Sequence, residues 1–178
     1  MPLYSKFKPS SVTTIIPFPP TMTAGLTRQY NSSITAYLGL MNIPYNITVN
    51  KIITTVTASA AGGSYLFGLY TESGQQQVLS TVIPSISANT SFVGTVTSVL
   101  VNAGNYYSAV VPKEGRSDAA TFDAWNTSTA PTTTLNVYNR GPIYSGRVSV
   151  TAGTLPTTFN PNTIASVAGQ GIAFRLDN

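Results

Sequence analysis

From residue 34 onward, apolar and polar positions trade places in short runs separated by turn residues. This is the cadence of an antiparallel β protein. The pattern predicts strands over 34–40, 46–57, 64–71, 76–83, 93–101, 105–112, 134–138, 143–150 and 171–176. The last run alternates cleanly, with Ile172, Phe174 and Leu176 on one face and Arg175 on the other. In 64–71 both faces are apolar, which marks a central strand covered on two sides. Breaks at Gly62-Gly63, Ser73-Gly74 and Asn102 to Asn105 supply residues that tolerate positive φ. A spacing of about 8–12 residues between runs, with no helical period, points to an antiparallel two-sheet sandwich of jelly-roll-like type over 34–178.

Two stretches depart from that rhythm. Residues 1–33 sustain neither period, and Pro2, Pro9, Pro17, Pro19 and Pro20 remove ladder donors and forbid a helix. The segment is nevertheless apolar, with Phe7, Ile15, Ile16 and Phe18, and basic, with Lys6 and Lys8. A polar proline-rich segment would be a linker; an apolar one docks on something. It is therefore expected to be an extended N-terminal arm whose Lys6, Phe7, Lys8, Ile15, Ile16 and Phe18 contact a partner. Residues 113–133 hold three of the five acids and the only tryptophan. They are expected to form a long surface loop that meets a partner through Arg116, Phe122 and Trp125.

Composition narrows the chemistry. Only 8% of the 178 residues are charged, about a third of the ~25% usual for globular proteins. Thr, Ser, Asn and Gly supply the polarity instead, which suits strands better than exposed helices. The first 71 residues carry Lys6, Lys8, Arg28 and Lys51 and no acid. Such an arm suits an acidic surface, although four scattered cations also serve solubility alone. No segment approaches the ~20 continuous apolar residues of a membrane helix. The patch from Val12 to Phe18 is too interrupted for a signal peptide, so manufacture in the cytoplasm is expected.

Histidine and cysteine are both absent. That excludes Ser-His-Asp triads, Cys-His dyads, disulfides and His-based metal sites. A glycosidase pair needs two carboxylates across a cleft, and only Glu72, Glu114, Asp118, Asp123 and Asp177 exist. No enzyme activity and no cofactor are expected. Glu114, Asp118 and Asp123 present oxygen ligands suited to calcium, but their spacing matches no EF-hand and a solvated acidic loop needs no ion. Trp125 in a long loop suits a sugar ring, whereas most of the ten tyrosines fall in strands, where packing explains them. The basic residues form no nucleic-acid-binding motif. Asn-x-Ser/Thr sequons begin at Asn31, Asn46, Asn89 and Asn126, as expected by chance in so Thr- and Asn-rich a chain.

The cadence of ITAYLGLMNIPYNITVNKI, GGSYLFGLYTESGQQ, LVNAGNYYSAVVP and the closing LPTTFNPNTIASVAGQGIAFRLDN resembles small β-sandwich virion proteins of tailed bacteriophages. That class includes capsid decoration (cement) proteins and tail-fibre or receptor-binding tips. The resemblance implies a homotrimer carried on the virion. An apolar, basic arm suits threading between capsid subunits, and no repetitive shaft of the kind that precedes a fibre tip is present. Capsid decoration is therefore the expected role, with viral capsid or other virion proteins as partners. The alternative is a receptor-binding tip or glycan-binding sandwich module.

Overall fold

The computed structural model describes residues 14–15, 23–58, 63–85, 90–115, 120–126, 145–166, 171–172 and 175–178. Their thirteen strands are β1 (Thr14–Ile15), β2 (Thr23–Gln29), β3 (Thr35–Ile43), β4 (Ile47–Ala58), β5 (Gly63–Thr71), β6 (Gln76–Leu79), β7 (Ile83–Ser85), β8 (Thr90–Val101), β9 (Gly104–Pro112), β10 (Thr121–Asn126), β11 (Ser145–Ser149), β12 (Ala165–Ser166) and β13 (Arg175–Asp177). They form two sheets in which every pairing is antiparallel. Sheet A runs β1-β13-β4-β10-β2, with β8 on the other edge of β4; sheet B runs β12-β11-β3-β9-β5-β6, with β7 also on β5. The expected all-β antiparallel sandwich is therefore what the chain forms. From β3 to β5, and again from β8 to β11, each successive strand lies in the opposite sheet.

The alternation read from the sequence sets the core. Tyr37, Met41 and Ile43 of β3 and Tyr65, Phe67 and Leu69 of β5 turn inward to meet Val49, Ile52 and Val56 of β4. An aromatic knot ties the sheets, with Phe122 of β10 4.7 Å from Tyr65 and 5.8 Å from Phe67, ring to ring. Tyr30 stands edge-on to Tyr37 at 4.9 Å. The Tyr65 hydroxyl accepts a hydrogen bond from the Ala120 amide, so its buried oxygen is satisfied. Residues 171–172 run inside the sandwich, where Ile172 is fully buried. Gly39 of β3 and Gly171 pass backbone to backbone, and a Cβ on Gly171 would lie 2.9 Å from the Gly39 Cα. Both positions need glycine for that approach.

The structure corrects three sequence readings. Residues 113–133 are not one surface loop, because 121–126 form β10, paired with both β2 and β4. The run 76–83 is two short strands, β6 and β7, joined by a link whose Ser80 bonds Phe67 of β5 and bridges across to Val96 of β8. The segment 1–33 supplies β1, paired with β13, and β2, paired with β10, so residues 14–15 and 23–29 belong to sheet A. The predicted strand 134–138 lies outside the described residues.

Candidate functional site

The outer faces of the two sheets differ in kind. Leu38 and Leu40 of β3, Tyr70 of β5, and Tyr107, Ala109 and Val111 of β9 point away from sheet A and form a second apolar layer. Residues 150–164 cross this layer as coil with one short 3₁₀ turn, placing Leu155, Phe159 and Ile164 on it. Phe159 packs 5.0 Å from Tyr70 and 5.9 Å from Tyr107. Beyond one bridge, Thr158 opposite Gln75, this coil forms no ladder with sheet B, so its other carbonyls need partners. The Tyr70 hydroxyl donates to the Pro156 carbonyl at 2.6 Å, and the Gln76 side-chain amide donates to the same oxygen at 3.3 Å. Burial pushes the Tyr70 phenol up to about 12, the Gln76 hydrogen bond opposing it. At positive φ, Gly74 lets the turn after β5 approach the Phe159 carbonyl of the coil, and Gly153 lets the coil approach the Lys113 carbonyl. Lys113 Nζ donates to the Gly153 carbonyl at 3.0 Å. The doubly apolar pattern of 64–71 thus has its cause: β5 has the opposite sheet on one side and coil on the other.

Sheet A carries no such cover among the described residues. Its register sets Arg175 beside Ile53 and Ile53 beside Val93, and in the next row Asp177 beside Lys51 and Lys51 beside Thr95. Thr81 extends the second row, its hydroxyl 3.2 Å from that of Thr95, and Thr55 pairs with Ser91 at 3.4 Å. Arg175 holds Asp177 through two hydrogen bonds of 2.9 and 2.8 Å. Five large hydrophobic side chains lie exposed among the described residues. Val93 at 52% and Leu100 at 58% lie on β8; Leu79 and Val82 lie in the β6–β7 stretch, Leu79 paired with Gly68 of sheet B. Asn50 faces three residues of β8, 96–98, where the ladder slips, and its Oδ1 is buried without a partner.

The sequence-predicted contact residues fare unevenly. Phe122 is fully buried in the central core, so it is a packing residue and not a surface contact. Ile15 is placed by its backbone, opposite Leu176 of β13. Trp125 falls in β10 where the pairing with β2 slips between Ala124 and Asn126. Lys6, Phe7, Lys8, Ile16, Phe18 and Arg116 lie outside the described residues. Of the three acids considered for calcium, Asp118 lies outside them too, and Asp123 sits in β10 opposite Thr27. No three His, Cys, Asp or Glu side chains gather among the described residues, and no helix there is long and apolar enough to cross a membrane. The open face was within reach of the sequence, since Val93 and Leu100 are apolar on a strand whose other outward positions are Ser and Thr. Nothing in the sequence marks that face as the one left uncovered. No known protein family, curated protein or solved structure matches this chain.

Proposed function

We propose that this chain is a non-enzymatic structural subunit of a virion, a capsid decoration protein that docks through the open face of sheet A together with its N-terminal segment. The observation that carries the reading is the contrast between the two outer faces. One is sealed by the chain's own coil; the other leaves Val93 and Leu100 in solvent on a long, uncharged strand. β8 contains neither proline nor any charged residue, the devices that usually keep strands from associating. Exposed apolar side chains grouped on one flank mark an interaction surface better than scattered ones do. The resemblance of the strand cadence to phage exterior proteins supplies the virion context, and a homotrimer is the expected assembly. In such a shell, binding only the assembled state stabilises it by mass action.

Co-sedimentation with empty capsids, alongside light scattering of the free protein, tests this. Binding should be lost in a Val93→Lys, Leu100→Lys double variant and weakened when residues 1–12 are removed, with the circular dichroism spectrum retained. A wild-type protein that stays monomeric at micromolar concentration and does not sediment with capsids overturns the proposal.

A further inference from the structure

We infer from the geometry of the sheet B rim a binding site for neutral saccharides on the row Asn42–Asn105–Glu72. This site lies on the sheet opposite the docking face and stands or falls separately from it. Asn42 of β3 is paired in register with Asn105 of β9, and Glu72 follows β5 directly beside them. The Asn42 amide donates to Asn105 Oδ1 at 2.9 Å and, more weakly, to the Gly104 carbonyl at 3.5 Å. The Asn105 amide donates in turn to Glu72 Oε1 at 3.3 Å. All three side chains are exposed, yet each is held by its neighbour on a rigid strand or at its end.

What remains free after these bonds is ordered. Asn42 Oδ1 accepts, the second Asn105 amide hydrogen donates, and Glu72 Oε2 accepts. The three groups span two strand spacings, about 10 Å, a length that a disaccharide covers. An acceptor–donor–acceptor row of planar groups matches sugar hydroxyls, each of which both donates and accepts. Two residues back along the same face, Tyr107 and Tyr70 are buried beneath Phe159, whose half-exposed ring is the aromatic surface on that side of the row. Aromatic surface beside a few fixed polar groups is the usual lining of a small-molecule site. No Lys or Arg belongs to the row, and the Glu72 carboxylate repels acidic sugars, which sets the class as neutral.

Saturation-transfer NMR of the full chain with lactose, maltose, cellobiose and diacetylchitobiose, and with sialyllactose as the acidic probe, tests the site. At least one neutral disaccharide should bind in the millimolar range while sialyllactose gives no signal. Asn105→Ala should weaken that binding roughly tenfold or more, the loss of a hydrogen bond in a site with a charged member. The thermal midpoint should not change, because the residue is exposed. Absence of signal from every neutral probe, preference for sialyllactose, or binding that survives in an Asn105→Ala, Glu72→Ala double variant overturns the inference.

Discussion

Among the described residues, sheet B hides its outer face beneath residues 150–164, whereas sheet A leaves its own to solvent, and the two strategies demand different residues. Covering a sheet with coil demands glycines where backbones touch, such as Gly74 and Gly153, and side chains that satisfy the coil's carbonyls, such as Tyr70 and Gln76. Leaving a sheet open demands outward positions that tolerate water, and here Thr, Ser and one Lys fill most of them. Folding stability is therefore concentrated on the covered side, and freedom to vary, or to bind, on the open one.

Substitutions on the two faces should separate accordingly. The largest effect is expected at Gly146 of β11, where a side chain would run into Ile164 and the Ala165 carbonyl. Gly146→Val should cost about 3 kcal/mol or more in urea unfolding, by overpacking and by lifting the coil from the sheet. Leu155→Ala, which empties a site against Gly68, should cost about 2–3 kcal/mol in the same measurement. Tyr70→Phe removes the bond to Pro156 and should cost about 1 kcal/mol. The same phenol makes the covered face sensitive to alkali. It stays neutral in the fold up to about 12, while an unfolded tyrosine ionises near 10.0. Its stabilising contribution is therefore whole below pH 10 and is lost as pH climbs from there through about 12. Urea midpoints taken across that window should fall in the wild type and fall less in Tyr70→Phe. Smallest of all, Val93→Thr and Leu100→Gln on the open face should change stability by no more than about 0.5 kcal/mol. A large loss at either would mean that sheet A is covered in the free protein, and the contrast would fail.

How much of this the sequence carried depended on how local each signal was. The strands β3, β4, β5, β8 and β9 were legible because each is long, alternates or is doubly apolar, and is bounded by Gly, Asn or Pro. β10 was missed because TFDAWN offers a single large aliphatic or aromatic residue, Phe122, at one parity, and the flanking charges suggested solvent. β2 was missed for a related reason. TAGLTRQ has little strand character of its own and is fixed by its pairing with β10, a contact across nearly a hundred residues. The residues 150–164 have no period at all, so a sequence reader sees that β5 must be covered but not by what. Of the candidate sites, the amide row was hidden more deeply still. Asn42, Asn105 and Glu72 are unremarkable residues in separate turns and strand ends until the register of β3, β9 and β5 lines them up.

The buried passage of residues 171–172 has a consequence for how the molecule is made. Ile172 and Leu176 fill the centre of the sandwich, β13 hydrogen-bonds to the middle of β4, and β1 in turn pairs, among the described residues, with β13 alone. A nascent chain paused before residue 171 lacks both the plug between the sheets and the strand that anchors its own beginning. Closure of the loop from Thr14 to Asp177 is about as non-local as a contact in this chain can be, and such contacts make folding slow. Closing the sandwich thus waits for residues 171–177, and until they arrive the edge of β4 at 51–53 lacks its partner strand, while β8 already holds the other edge.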